Sequence, residues 1–383
     1  MKSSLRLIKD QFQLDPKFTY LNHGSFGACP YPIFNERAKW QKEIENQPVS
    51  FVEEKAINLL DWSRKELASF IHCHKDDVVY FPNPTTAMNM VIRSLDLKPG
   101  DEVLTSNHEY GAVEKTWKFV ANKKGFSYKS IDIPLPFKPD EFITKIKESI
   151  NSNTKVIFLS HITSPTAIIF PVEEICRLAK ELNILTIIDG AHAPAQINLN
   201  LEDLGADIYT GACHKWMLCP KGVAFLYATK ELQKKLEPLV VSWGWESETP
   251  SHSSFLDHHQ YQGTNDISAY LSVPSSIEFL NKNKWKDVSS YCHEKIIETR
   301  EILLKTSGTD PICPDDALGQ MTSIELNIDN PESLYRYLKD QNIEVPVYKW
   351  NENIFLRVSF QCYNTIEDID LLNKYLSKFL HGI

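Results

Sequence analysis

No apolar run in this chain approaches the roughly 20 residues needed to cross a bilayer. The first residues, Met1 to Gln11, are polar and charged and lack the apolar stretch of an export signal. We therefore expect a cytoplasmic chain with no membrane partner. Basic residues are in deficit: 41 Lys and Arg stand against 50 Asp and Glu, a net charge of −9. No basic face for nucleic acid is expected from that balance. The eight cysteines (Cys29, Cys73, Cys176, Cys213, Cys219, Cys292, Cys313 and Cys362) contain no CxxC pair. They read as reduced thiols rather than a disulfide framework. No GxGxxG turn follows an early strand, which sets aside a dinucleotide dehydrogenase. His72, His74, His252, His258 and His259 have no companion Cys or carboxylate at ligand spacing, so they read as solvated loop residues and no metal is expected. Internal repeats and low-complexity tracts are also missing.

What is present is a globular composition: 383 residues, 42% apolar and 24% charged. That length predicts two domains, or one large and one small. From Asp76 to about Ala228, short β-branched runs alternate with helical patterns. Strands are expected at Val78–Phe81, Glu102–Thr105, Lys155–Ser160, Ile184–Asp189, Ile208–Thr210 and Val223–Tyr227. Helices are expected at Thr85–Leu95, Gly111–Lys123 and Val172–Leu182, the last with Ile175, Leu178, Ala179 and Leu182 on one face. The alternation implies βαβ units and an α/β fold with a mainly parallel sheet. After Trp243 the pattern changes. Ser247–His259 reads as a loop and Ile267 to Lys286 as one long helix. A charged helix at Val288–Thr306, strands at Met321–Leu326 and Ile354–Ser359, and a helix from Ile366 to Leu380 suggest a smaller α+β domain. We expect an N-terminal segment, 1–25, packing with the small domain, a large domain at 26–265 and a small C-terminal domain at 266–383.

Two short stretches carry chemistry. Asp189 ends the apolar run Ile187-Ile188, at the strand edge where open α/β sheets bind ligands. A carboxylate there is costly to bury without a cation. Lys215 follows one βα excursion later, between His214 and Trp216. A partly desolvated lysine has a lowered pKa and can attack an aldehyde. Singly, such an Asp is usually a cap and such a Lys is usually solvated. Together they suit pyridoxal 5'-phosphate (PLP), which needs a lysine for its aldehyde and a carboxylate beside its pyridine nitrogen. The segment Asn83-Pro84-Thr85-Thr86-Ala87-Met88-Asn89, between a strand and a helix, offers free N–H groups and hydroxyls for a phosphate.

In these residues the chain resembles the class V aminotransferase family of PLP fold type I, and within it the isopenicillin N epimerase-like group. The matching stretches are Tyr20–Gly27, Asn83–Asn89, His108–Ala112, Ser160–Thr166, Asp189–His192, His214–Trp216, Gln262–Asp266 and Leu356–Ser359. The resemblance implies that Thr85, Thr86 and His214 hold the phosphate and that Tyr110 stacks on the ring. It implies that Ser164 and His192 reach the ring oxygen, that Asp189 pairs with the ring nitrogen and that Lys215 is the Schiff-base lysine. Thr264 would reach the neighbouring subunit's phosphate, which implies a homodimer with shared sites. Arg357 would grip the substrate carboxylate by a bidentate pair. Asn22, His23 and Ser25 lie in a Gly-containing turn that borders the site or is a plain turn; we expect Asn22 and Ser25 at the substrate. Ala212 departs from relatives, which often have a polar phosphate ligand there. Trp243 and Trp245 serve either a substrate channel or packing.

The expected substrate is a small amino acid attacked at Cα, with Lys215, Asp189 and His192 as the catalytic set. Epimerisation, transamination and β-elimination all remain open from the residues. A C–S lyase acting on a cysteine conjugate or sulfoxide is the sharpest alternative. Desulfurase relatives carry a nucleophilic Cys shortly before the carboxylate-binding Arg, and Asn342–Leu356 contains none. A standard cysteine desulfurase and a non-catalytic PLP-fold protein therefore rank below.

Overall fold

The computed structural model describes residues 8–382; residues 1–7 of the expected N-terminal segment lie outside them. Twelve strands run in chain order: β1 (Thr19–Tyr20), β2 (Val78–Phe81), β3 (Glu102–Ser106), β4 (Ser127–Ile131), β5 (Thr154–Ser160), β6 (Leu185–Asp189), β7 (Ile208–Ala212), β8 (Ala224–Ala228), β9 (Met321–Leu326), β10 (Ile343–Glu344), β11 (Val347–Trp350) and β12 (Asn353–Ser359). Seven of them form one sheet in the order β2-β8-β7-β6-β5-β3-β4. Neighbours from β4 to β7 pair in parallel, and β8 runs antiparallel to both β7 and β2. β2, β7 and β8 are buried along their whole length, and β5 and β6 nearly so. Helices cover both faces of such a sheet, which is why these strands read as continuous apolar runs rather than alternating ones. The mainly parallel α/β sheet is the architecture expected of PLP fold type I.

This topology places the chemistry. β2, β3, β5, β6 and β7 point the same way, so the loops after them gather at one edge. Those loops carry Thr85, Tyr110, Ser164, His192 and Lys215 in turn. An open α/β sheet binds ligands at that edge.

The second sheet, β11-β12-β9, is antiparallel. Arg357 on β12 lies directly opposite Ser323 on β9, and their side chains share a face. Alternation puts Arg357 and Ser359 on that face and Leu356 and Val358 on the other. The first face meets the large sheet's loops: the Ser323 hydroxyl donates to the Pro165 carbonyl at 3.0 Å. β1 pairs in parallel with β10, tying residues 19–20 to 343–344. Helices Tyr31–Asn46 and Ala56–Ile71 bond to the segment after 265, through Arg37 to Ser268 and Ser63 to the Tyr270 carbonyl.

Several sequence expectations are corrected. The segment expected as a loop at Ser247–His259 contains a helix at Ser254–Gln260, capped by Ser253. His259 is not solvated: it is 1% exposed and lies beneath Phe255. The long helix expected from Ile267 to Lys286 is broken into Ser268–Leu271 and Val273–Lys282, and a new helix starts at Trp285. Pro274 in a first turn and Lys284 at φ 50° supply the breaks. Among the described residues, no helix is long and apolar enough to cross a membrane.

Candidate active site

Lys215 follows the buried end of β7 and is half-buried. Its Nζ lies 3.1 Å from His192 Nε2. Burial first and the Arg357 charge second push its pKa down to about 7, against the opposing pull of Asp189. His192 is buried, and burial with the surrounding cations holds its pKa well below the usual imidazole range. Its Nδ1 faces the Trp216 indole N–H at 3.3 Å.

Asp189, at the end of β6, is 3% exposed. Burial raises its pKa, while the Ala191 N–H on one oxygen, at 3.0 Å, and the charge of Lys215 oppose the rise. No hydrogen bond among the described residues takes its other oxygen. The Pro84–Ser94 helix starts after β2 with Asn83 as cap, accepting from the Thr86 N–H at 2.8 Å and the Thr86 hydroxyl at 3.0 Å. Pro84 has no N–H to satisfy. Among the described residues no hydrogen bond uses the Thr85 N–H or hydroxyl, so anion donors remain at this helix start. His214 donates from Nδ1 to the Val223 carbonyl at 2.9 Å, and burial lowers its pKa to about 4. The neutral ring leaves Nε2 as an acceptor, so it must gain a proton before it can donate to a phosphate. A lysine of lowered basicity, a buried carboxylate with a spare oxygen and a helix start with unused donors fit PLP, and Lys215, Asp189, Thr85, Thr86 and His214 would hold it.

Arg357 is 5% exposed. Its Nη1 donates to the Ser164 carbonyl at 2.6 Å and the Ser164 hydroxyl oxygen at 3.1 Å, and its Nη2 to the Ser25 hydroxyl oxygen at 3.0 Å. Ser25 in turn donates to Asn22 Oδ1 at 2.5 Å. The guanidinium Nε is buried and has no partner among the described residues. The expected residues Asn22, Ser25, Ser164 and Arg357 therefore form one polar cluster. Ser164, expected at the ring oxygen, has both its oxygens on Arg357, with its hydroxyl proton still free to donate.

A cleft of about 460 Å³ opens beside this cluster, lined by Tyr110, Ser25, Ser164, Arg357, Tyr348 and Trp350 among others. Tyr110 is 46% exposed at the start of its helix, free to face a ring. Tyr348 bonds the Pro165 carbonyl, and Trp350 donates from Nε1 to the Asn107 carbonyl at 3.1 Å. These two bonds strap β11 across the cleft. No cysteine lines it. Thr264 stands on an exposed loop, and no hydrogen bond among the described residues joins it to the cluster. Trp243 is 85% exposed, whereas Trp245 is 47% exposed and packs its ring against His258 at 5.1 Å.

Sequence reasoning gave no role to Glu109 or Trp216 and left His23 between a site border and a plain turn. Glu109, at the cleft wall, accepts from the Ser106 hydroxyl at 2.6 Å and from the Ser160 N–H and hydroxyl, both at 2.7 Å. Burial pushes its pKa up to about 8 despite these donors. His23 lies 3.1 Å from the Lys215 carbonyl through Nε2 and 2.9 Å from the Tyr363 hydroxyl through Nδ1. Trp216 completes the set. Each lies inside one of the matching stretches, which was the only signal available.

Comparison with known proteins agrees with this geometry. The Aminotransferase class-V family matches residues 38–372. An isopenicillin N epimerase of Amycolatopsis lactamdurans is 32% identical, over 97% of both chains. A hercynylcysteine sulfoxide lyase of Schizosaccharomyces pombe is 25% identical, over 91% of this chain and 88% of that one. A solved C-DES mutant with glycine covalently linked to its PLP cofactor superposes with a TM-score of 0.86 at 19% identity, covering 96% of this chain and 98% of that one. The chain belongs to the class V aminotransferase family of PLP-dependent enzymes.

Proposed function

We propose that this chain acts at the Cα of an amino-acid substrate in an isopenicillin N epimerase-like reaction. The observation that carries the reading is the placement of the half-buried Lys215 amine, with its lowered pKa, close enough to Arg357 for that charge to act on it. PLP, when bound, supplies the electron sink that lets a Cα proton leave. The chain's residues do the rest. Arg357, braced by Ser164 and Ser25, binds and orients the carboxylate. Its unpartnered Nε is a further donor for that ligand. Lys215, whose pKa of about 7 leaves about half of it as free amine at pH 7, takes the Cα proton. With PLP bound, Asp189 would keep the ring nitrogen's proton, Tyr110 would cover the ring face, and Thr85, Thr86 and His214 would take the phosphate. His192 serves the ring oxygen and Lys215.

A second reading, C–S β-elimination, is favoured by the absence of cysteine from the cleft wall. Sulfur chemistry here would need a leaving group on the substrate and no thiol nucleophile from the protein. The name of the S. pombe relative agrees with it.

We also propose a homodimer with shared sites. Supporting it, Val241 is 66% exposed next to the exposed Trp243, and Thr264 reaches nothing in its own site. Apolar surface of this kind marks an interaction face.

The test is a screen of amino acids and cysteine conjugates in D₂O with product mass spectrometry. Deuterium at Cα without net product supports the epimerase reading. Pyruvate and ammonia replace it with the lyase, and dependence on a keto acid replaces it with a transaminase. Protein that gains no borohydride-reducible PLP at Lys215 overturns the cofactor reading altogether.

A further inference from the structure

Three side chains meet beyond the end of β7 in an order that determines where one proton sits. An indole N–H is a donor only. Trp216 directs it at His192 Nδ1, at 3.3 Å. Nδ1 must then be the acceptor nitrogen, and the single proton of the neutral ring lies on Nε2. That nitrogen lies 3.1 Å from Lys215 Nζ. With Nε2 as donor, Nζ must receive the proton on its lone pair, which only the neutral amine has. Trp216 is fully buried and His192 is 3% exposed, so water does not compete for these groups.

We propose that Trp216 is a positioning residue: its indole N–H locks His192 in the Nε2–H form, and that form holds Lys215 as a free amine ready for an aldehyde. The lock also readies Nε2 to donate to an oxygen on any ligand that takes the amine. If Nδ1 carried the proton instead, bare Nε2 would accept from an ammonium and favour charged Lys215. The lowered basicity of both Lys215 and His192 agrees with the first arrangement.

Other groups act on the same amine. Asp189 favours its charge and Arg357 opposes it. His23, on the Lys215 carbonyl, and His214 act on His192, while Lys221 acts on both of those rings. None of these charges is removed in Trp216→Phe, which takes away the indole N–H together with part of a fully buried ring that packs on His23 at 4.8 Å, so the His192 proton position by NMR is read beside the pH midpoint.

The inference rests on Lys215 being the cofactor lysine, but its first test does not. In the full chain before PLP is added, nitrogen-15 NMR of the His192 ring should find the proton on Nε2 and a bare Nδ1. A proton on Nδ1 overturns the proposal whatever the enzyme's activity. The second test follows capture of PLP against pH: the amine attacks the aldehyde carbon, C=N forms and water leaves. In wild type the capture rate should rise with pH through about 7, where the free amine appears. In Trp216→Phe this midpoint should move up by roughly half a unit to one unit, the worth of one hydrogen bond. His192→Gln retains an acceptor for Trp216 and a donor for Lys215, so it should restore a midpoint near the wild-type value. Equal midpoints in wild type and Trp216→Phe, with the variant folded by circular dichroism, overturn the proposal. If the lock is found by NMR but no PLP is captured at Lys215, the cofactor reading fails and the lock stands.

Discussion

Arg357 sits in the interior with no carboxylate facing it, held instead by a carbonyl and two hydroxyls. Neutral partners orient the guanidinium without neutralising it, which leaves its charge for a ligand. A lysine at this position would supply a point charge in place of a planar fork. Arg357→Lys should therefore lower kcat/KM by roughly 10- to 100-fold, mostly through KM, as loss of a charge-assisted hydrogen bond implies. An unchanged KM would remove Arg357 from substrate binding. Glu109 makes the opposite case, a carboxyl whose burial raises its pKa to about 8. A raised pKa means that the neutral acid predominates below that value and the anion above it. Glu109→Gln imitates the neutral acid. We expect its activity to stay within a few-fold of wild type near pH 7 and to diverge above about pH 8. Curves that run parallel across the whole range would show that Glu109 does not titrate there.

At the scale of elements, strand ends and helix starts do most of the positioning. Asn83 closes the Pro84–Ser94 helix by holding the Thr86 N–H and hydroxyl. Asn83→Ala should lower the unfolding free energy by about 1 kcal/mol, the usual cost of a lost cap. It should also weaken PLP retention, because without its cap the helix start frays and the unused Thr85 N–H and hydroxyl are no longer held in place for a phosphate. Denaturant titration and a PLP-binding isotherm measure the two effects separately, and unchanged PLP affinity would count against a phosphate at this helix. The Asn22–Gly27 turn has a comparable role between sheets. Gly24 N–H donates to the Ser359 hydroxyl at 3.0 Å, Ser25 holds Arg357, and His23 meets the Lys215 carbonyl. Gly27 closes the turn at φ 69°, and a side chain there would come within 2.2 Å of the His214 carbonyl oxygen. Only glycine permits both that backbone and that approach.

For the molecule as a whole, the cleft is a junction. The parallel sheet carries Asp189, Lys215 and the proposed phosphate donors, the second sheet carries Arg357, and the N-terminal turn joins them. The proposed homodimer would bury the exposed Val241 and Trp243. Trp243→Ser should shift the protein toward monomer in sedimentation experiments and lower activity at dilute protein concentration. A variant that stays dimeric would place the interface elsewhere.

Much of this was legible in the sequence because it depends on local order. Buried parallel strands read as apolar runs, and a residue just past such a run must lie at the ligand edge, so Asp189, Lys215 and Thr85–Thr86 could be found from one dimension. The same local reading failed where packing overrides pattern. Polar Ser254–Gln260 became helix, and His259 was buried beneath a phenylalanine. It was also silent on pairings between residues far apart in the chain. Arg357 with Ser25 and Ser164, His23 with Lys215, and Glu109 with Ser160 have no sequence spacing to betray them, since each depends on which sheet faces which. The sequence by itself determined the fold class and the cofactor chemistry, because these follow from strand order and residue type. Only the tertiary structure decided which nitrogen of His192 holds a proton and hence the state of Lys215. That depends on a donor placed to about 3 Å by packing around Trp216.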